Sequence, residues 1–540
     1  MRSVLLAVWI GGVAMAQATA ADTVHQWGRF EAALTAAKAH ANPVQDVPLR
    51  VEFTGPGGAA HTVAGFWDGD RTWRVRFAPA APGRWTFLTR CQEDAGLNGQ
   101  RGEFSCVPYE GENPLYRHGP VRVSLDRWHL AHADGTPFFW LSDTAWNGAL
   151  LASEADWKTY LADRAGKGFT AIQFVTTQWR AATGDADGRA AYTGKEQIAV
   201  NPAFFQRLDR YFDALNERGL VAAPVLLWAV GDARDPGSSL PEDQCIVLVR
   251  YMVARYGGHH CIHILGGDGN YGGKRAEKWQ RIGRAVFGDK PAWPVTMHMC
   301  GQSWVAAEFR NEPWYAFHGY QSGHGDADRA LRWLIEGPPS KDWRTEPHHP
   351  VINLEPNYEG HRGYENKSVF GAHEVRRAAY WSLLVSPTAG VTYGAHGIWP
   401  WMLKRGFPMN HQHAGEAPPW HEAMRLPGST SMKHLRTFFA SLEWWRLRPA
   451  PDMVTEQPAK DDPKRFVAAA RAQDGTFAVV YMPTREDAVL RTEALKAPVV
   501  ARWFDPREGK WTDAAPAATP SAAFRAPGDG DWVLWLGPKQ

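Results

Sequence analysis

Residues 351–360 read VINLEPNYEG, and the fold turns on how that stretch ends. A short apolar run, Val351, Ile352 and Leu354, stops at the carboxylate Glu355, and Pro356 follows at once. Proline has no N–H to give to a sheet ladder, so a strand here must stop. An acid at the C-terminal tip of a buried strand is the arrangement of a parallel barrel, whose active face lies at that end. The plainer alternative is a strand that finishes in a solvated Glu, and the rest of the chain decides between the two.

Seven other runs share this form. In chain order the strand candidates are 137–143 (PFFWLSD), 170–176 (TAIQFVT), 221–228 (VAAPVLLW), 261–268 (CIHILGGD), 295–300 (VTMHMC), 314–320 (WYAFHGY), 350–355 (PVINLE) and 390–396 (GVTYGAH). Stretches with helical spacing of apolar residues lie between them, at 154–167, 202–218, 241–256, 274–287, 327–335 and 372–384. Eight such units over roughly 260 residues have the rhythm of a (β/α)8 barrel. Residues 22–118 differ: short alternating runs such as LRVEFTG, TWRVRFAP and RWTFLTRC, broken by Gly, Pro and Asp, read as a β-sandwich. The segment 109–120 reads as a linker. Beyond the eighth strand come a loop rich in Trp and His (398–420) and a helix near 431–445, and then 447–540 returns to β pattern. The expected chain is therefore α/β, a TIM barrel over 119–446 flanked by an N-terminal β-sandwich (22–118) and a C-terminal β-sandwich (447–540).

Composition excludes several function classes. With 59 Lys and Arg against 57 Asp and Glu the formal net charge is +2, and no basic block occurs, so no nucleic-acid partner is expected. Residues 1–20, MRSVLLAVWIGGVAMAQATA, have the charged start, apolar middle and small-residue end of a secretory signal, too short to span a membrane. Export to the periplasm or outside the cell follows as an expectation, with no membrane insertion. Five Cys are present. Cys91 and Cys106 fall in neighbouring β-like runs and suit a bridge in an oxidising compartment, Cys245 and Cys261 suit buried thiols, and no CxxC spacing points to a metal. The pairs His259-His260, His348-His349 and His411-x-His413 match no ligand set and read as surface or loop histidines; neither metal nor cofactor is expected. Trp is abundant, at 27. Indole faces suit the apolar faces of sugar rings, although most of these Trp residues should pack cores.

The ends of the eight strands carry the chemistry. Asp143 ends the first, with Trp146 close behind. Gln173, Gln178 and Trp179 lie at or after the second, and Trp228 ends the third. Asp268 and Asn270 end the fourth and His298 the fifth. His318, Tyr320 and Gln321 mark the sixth, Glu355 and Tyr358 the seventh, Tyr393 and His396 the eighth, with Trp399 in the loop beyond. Acids, amides, imidazoles and aromatics on one rim suit a saccharide, whose edges hydrogen-bond and whose faces stack. His298, His318 and His396 are read equally as partners of sugar hydroxyls or as satisfied core histidines. Asp268 and Glu355, after the fourth and seventh strands, would face each other across the mouth. Glycoside hydrolysis needs such a pair, one acid to protonate the leaving oxygen and one carboxylate to attack or to activate water. Each such group contributes about 10²–10⁴ in rate, and two buried like charges push their pKa values apart. The alternative for Asp268 is a turn residue among Gly266, Gly267 and Gly269. The stretch 267–272 also fits G-x-G-x-x-G, but an acid would then stand beside a pyrophosphate, and no acid ends the following strand to hold a ribose; dinucleotide binding is rejected.

This order of modules, with LSDTAW (141–146), ILGGDGN (264–270) and NLEPNYEG (353–360) in the barrel, resembles the apiosidase-like glycoside hydrolases. These are bacterial barrel enzymes formerly described as a domain of unknown function, and they include apiosidases acting on pectin side chains. The resemblance spans nearly the whole mature chain. It implies that Asp268 and Glu355 are the catalytic pair and, by analogy with related retaining barrels, that Asp268 is acid/base and Glu355 nucleophile. The C-terminal part resembles a module often labelled collagen-binding, but no collagen-reading feature is visible in it. The expectation is an exported, exo-acting, retaining glycoside hydrolase releasing a terminal sugar from a plant or bacterial polysaccharide. Loops 357–372 and 398–420 would close one end of its cleft. The competing reading is a non-catalytic carbohydrate-binding protein on a barrel scaffold, which loss of either acid would favour; both are present. A hydrolase of another class finds no G-x-S-x-G and no zinc set.

Overall fold

The computed structural model describes residues 19–20, 23–485, 487–496 and 498–538. The leader read over 1–20 lies, apart from Thr19 and Ala20, outside the described residues. Eight strands form one parallel sheet: β1 Trp140–Thr144, β2 Ala171–Val175, β3 Val221–Trp228, β4 His263–Gly269, β5 Val295–Met299, β6 His318–Tyr320, β7 Val351–Asn353 and β8 Gly390–Gly394. Their order across the sheet is β5-β4-β3-β2-β1-β8-β7-β6. A parallel bridge between Val295 and Tyr315, with the Ala316 N–H donating to Val295 O at 2.8 Å, draws the two edges together and nearly closes the barrel. Strands β2, β3 and β5 are buried at every position, as strands covered on both faces must be, and so show runs of apolar residues without clean alternation.

The seventh strand is shorter than its sequence suggests. Its ladder ends at Asn353, whose Oδ1 accepts from the N–H groups of Glu355 and Ser322, each at 3.3 Å. Side-chain capping thus stops the strand before Pro356 does, and Leu354 and Glu355 stand beyond it at the rim. The sixth strand, expected from 314, likewise forms only over His318–Tyr320.

Three helices bear on the rim and on the C-terminal contact: α1 Glu154–Gly166, α2 Asp328–Glu336 and α3 Ala372–Leu384. Ser153 caps α1 by accepting from the Asp156 N–H. Helix α3 is buried from Val375 through Leu384 because the C-terminal sheet covers its outer side. Arg376 makes a two-pronged pair with Asp531 (2.9 and 2.7 Å), Tyr380 stacks on Tyr481 at 4.7 Å between ring centres, and Trp381 Nε1 donates to Phe466 O at 2.9 Å. That C-terminal sheet has six strands, with Ala478–Met482 and Trp532–Gly537 at its centre, and a two-stranded partner of Asp487–Arg491 with Ser521–Arg525. Val480, Trp503, Phe524 and Leu534 share its core.

Residues up to Tyr109 form a compact unit of their own, and Glu110–Gln540 a second. The first holds a four-stranded and a five-stranded sheet around Phe30, Phe53, Trp85, Phe87 and Phe104. The disulfide compatible with its sequence does not form: Cys91 and Cys106 are both free and buried. Cys106 sits opposite Gly83 at one end of the strand Gly83–Arg90, whereas Cys91 follows the other end. A strand of that length separates them by more than 20 Å at about 3.3 Å per residue, far beyond the ~7 Å reach of a bridge.

Candidate active site

The geometry of the rim begins with a bulge. Between Ile264 and Gly269 the register of β4 against β5 slips twice, and within that irregularity Asp268 adopts φ +48°. Bulges re-aim side chains at the mouths of barrels. Asp is one of the few residues that tolerate the left-handed region, at a cost of about 1–3 kcal/mol. The flanking glycines answer to packing. A Cβ on Gly267 would lie 2.5 Å from Val225 Cγ1 and 2.6 Å from Trp228 Cε3, and one on Gly269 would lie 2.5 Å from the Tyr271 ring.

Asp268 and Glu355 have opposite surroundings. Burial, and then the charge of Glu355, push Asp268 up to about 7, against the pull of His298 and Arg180. The guanidinium Nη2 of Arg180 stands 3.9 Å from Asp268 Oδ2. Glu355 is also buried, which alone would raise it, but donors surround it. Gln321 Nε2 donates to Oε1 at 3.0 Å, His324 Nε2 lies 2.9 Å from the same oxygen, and His298 Nε2 lies 3.3 Å from Oε2. A carboxylate only accepts, so the facing imidazole nitrogens carry the protons. Together the two histidines outweigh burial and hold Glu355 down, at about 2. One acid keeps its proton near neutrality while the other stays charged.

Because the folded state raises Asp268 above the ordinary carboxyl range, it contributes stability that is whole at low pH and gone once the pH has passed through 7. Asp268→Asn carries no charge to bury. It is therefore expected to melt a few degrees above the wild type at pH 8, with the gap closing toward pH 4; equal melting temperatures at both pH values would contradict this account of Asp268.

An indole wall stands beside the acids. The Trp228 ring centre is 4.4 Å from Trp179 and 5.3 Å from Trp146, and Trp146 lies edge-on to His298 at 5.3 Å. Trp228 Nε1, Gln321 Oε1, His324 Nδ1 and Tyr358 OH are buried without a hydrogen-bond partner. Buried polar atoms are normally paired, so these are open to hydroxyl groups of a ligand. Tyr358 finds room because residue 394 is Gly: a Cβ there would sit 2.1 Å from the tyrosine ring.

Of the residues expected at the rim, the structure gathers Asp268, Glu355, His298, Gln321, Tyr358, Trp146, Trp179 and Trp228. It sends others elsewhere. Asp143 is fully buried with its Oδ2 on Arg164 Nε (2.5 Å) and the Tyr160 hydroxyl (2.7 Å), both in α1. Thr144, the next residue, is the inward one and accepts from Gln173 Nε2 at 2.9 Å. Tyr393 also faces outward, its hydroxyl donating to Glu359 Oε2 at 2.6 Å beside Arg164. On β6 the inward position is Gly319, where a Cβ would meet Leu354 Cδ1 at 2.4 Å. His318 therefore packs on Tyr315 and His349, and Tyr320 on Trp333 of α2.

The remaining ones brace. Gln173 also donates to Leu354 O at 2.7 Å, in the barrel interior beneath Glu355. Gln178 ties Ala191 N and Tyr192 O, and exposed Asn270 accepts from Gly272 N. His396 bonds Gly415 O and accepts from Trp399 Nε1 at 3.1 Å, so both hold the loop after β8.

Four side chains not expected here complete the rim. His324 lies in the loop after β6, three residues past Gln321, and stacks on His361 at 4.2 Å. Tyr364 feels the charges of both acids. Arg180 directly follows Trp179 and is gripped, at 2.9 Å, by His411, a loop histidine that is buried. Among the described residues no group of His, Cys, Asp or Glu is placed to hold a metal ion.

The nearly closed eight-stranded parallel barrel carries a rim of carboxylates, imidazoles and indoles, and the family match over that barrel makes this protein a glycoside hydrolase. Residues 124–446, more than half the chain, match the family described as "Apiosidase-like, catalytic domain", and the chain belongs to that family. Residues 23–92 match a domain of unknown function (DUF5060), and 449–537 a domain described as a collagen-binding one proposed for a collagenase. Among solved structures, one named "Glycoside hydrolase" is 22% identical, covering 80% of this chain and 99% of its own, with a TM-score of 0.69. A glycoside hydrolase family 5 structure from Bacteroides vulgatus ATCC 8482 is 19% identical over 79% of this chain and 95% of its own, with a TM-score of 0.69. At these identities the likeness carries the fold. No curated protein matches the chain in sequence.

Proposed function

We propose that the protein is an exported, retaining glycoside hydrolase that removes a terminal sugar from a plant or bacterial polysaccharide, with Asp268 as acid/base and Glu355 as nucleophile. The observation that carries this is the split between the two acids at the ends of β4 and β7. At pH 5–6, Asp268 still holds a proton to give and Glu355 a charge to attack with. In the first half of the reaction the Asp268 proton passes to the glycosidic oxygen as its bond to the anomeric carbon breaks, and a Glu355 oxygen takes that carbon. Water then displaces Glu355, giving a proton back to Asp268. The indoles of Trp146, Trp179 and Trp228 offer stacking faces. Exo action is supported by the loops after β7 and β8, which meet where Arg362 N donates to Ala414 O at 3.0 Å and so wall one side of the mouth. Export rests on the leader read at 1–20. Among the described residues no helix is long and apolar enough to cross a membrane.

The test is a release assay on aryl glycosides and pectic polysaccharides, wild type beside Glu355→Ala. One monosaccharide set free by the wild type alone supports the reading, with its first-formed anomer, followed by NMR, matching the substrate. An inverted first product removes the nucleophile role. Silence on every substrate, with sugars still raising the melting temperature, would favour saccharide binding without turnover. The pH profile is a separate check. The general acid is lost as pH rises through about 7, so kcat/KM should be about tenfold lower at pH 8 than at pH 6. A profile flat to pH 9 would exclude Asp268 as the acid.

A further inference from the structure

Asp268 must serve twice, as an acid and then as a base, and the structure holds a device beside it suited to the change. The main chain of Arg180 is fixed on both sides: its N–H donates to Asp235 Oδ1 at 3.1 Å and its carbonyl accepts from Asn410 Nδ2 at 2.6 Å. Its guanidinium donates from Nη2 to His411 Nε2 at 2.9 Å, while His411 Nδ1 donates to Met409 O at 2.7 Å. His411 therefore spends its one proton on the main chain and presents a lone pair to Arg180. Burial, aided by the arginine charge, pushes His411 down to about 4, so this acceptor persists at working pH. What remains of the guanidinium is unspent. The same Nη2 stands off Asp268 at 3.9 Å, too far for a hydrogen bond, and Arg180 Nε is buried with no partner. A protonated Asp268 leaves this cation at a distance; an ionised one would draw it in.

We propose that Arg180, clamped by His411, is the positioning residue that turns Asp268 from acid into base between the two halves of the reaction. This rests on the acid/base role given to Asp268 above. The groups facing Asp268 come from every side: Glu355 beyond β7, His298 on β5, Arg180 beyond β2 and Asp235 beyond β3. Tyr271 in its own loop and Cys300 beyond β5 also feel its charge, and burial holds both of them neutral. Before reaction the Glu355 charge opposes ionisation of Asp268. When Glu355 forms its bond to the anomeric carbon that charge disappears into a neutral ester, while the Asp268 proton leaves with the glycosidic oxygen. The new carboxylate then faces Arg180 with its chief opponent gone. It takes a proton from the incoming water as the water oxygen bonds to the anomeric carbon and the ester bond breaks, which restores the Glu355 charge and the Asp268 proton.

The test uses 2,4-dinitrophenyl glycosides, whose leaving group departs without a proton, so that the second half limits kcat. Arg180→Ala is expected to lower kcat at pH 6 by about two- to fivefold and to move the acidic limb of kcat up by about one pH unit. Arg180→Lys should restore part of both. Azide, a nucleophile that needs no base, should recover the Arg180→Ala rate. A fall in kcat with the limb unmoved and no azide recovery overturns the proposal, leaving Arg180 a loop brace. Asp268→Ala is the control: if it keeps wild-type rates on poorly leaving substrates, the acid/base reading itself fails, whatever Arg180 does. A second measurement needs no turnover. In the Arg180→Ala background the thermal-stability gain of Asp268→Asn should keep growing to a higher pH before it levels off, and so be larger at pH 9 than in the wild-type background; an unchanged plateau would equally overturn the proposal.

Discussion

Glu355→Ala is expected to lower kcat by at least about 10⁴-fold, the largest functional effect of any single change in this chain, since on the proposed mechanism it removes the nucleophile, which works as one unit with its acid, and leaves only binding and polarisation behind. The surroundings make the case specific. Gln321, His324 and His298 all present donors to this carboxylate, and in the alanine variant those donors face an emptied space. The folded state also holds Glu355 below the ordinary carboxyl range, so its charge stabilises the protein above that range and the variant should melt lower at neutral pH. Azide should recover turnover of an activated aryl glycoside and give the glycosyl azide of inverted configuration. A variant within tenfold of the wild type would take Glu355 out of the mechanism.

Asp143→Asn should produce the largest loss of stability among the rim candidates. Arg164 is wholly buried, and with the Asp143 charge gone its remaining carboxylate contact is Asp163, at 2.5 Å. Breaking a buried pair by removing one member costs about 3–5 kcal/mol, which corresponds to a fall in Tm on the order of 10 °C. Replacing both partners by apolar residues, Asp143→Leu with Arg164→Met, should recover much of that. A residue that touched sugar would behave differently, raising KM at constant Tm, and that result would return Asp143 to the mouth.

Most of the barrel is legible in the sequence because each strand is an apolar run closed by Gly, Pro or a polar cluster, and the acids at 268 and 355 stand where two such runs close. The phase of the short strands is not. A strand covered on both faces has no polar face to tell inward from outward, so Asp143 and Thr144, or His318 and Gly319, look interchangeable until the helices around them are placed. The same ambiguity hides the outward turn of Tyr393. The places of Arg180, His324 and His411 at the rim are hidden for another reason: loops deliver them, and no periodicity tracks a loop. The GGDG stretch reads as a choice between turn and catalyst. In the fold it is a bulge whose glycines fit against Val225, Trp228 and Tyr271, and whose one non-glycine is the acid.

Helix α3 gives up its outer surface to the C-terminal sheet, through Arg376 on Asp531, Tyr380 on Tyr481 and Trp381 on Phe466. Cutting the chain after the barrel would strand a guanidinium and two large rings on one bare helix, an invitation to aggregate rather than a trimmed enzyme. For anyone grafting this scaffold, the portable piece is barrel and sheet together, and a chimera that exchanges the sheet must inherit or rewrite that single helical face.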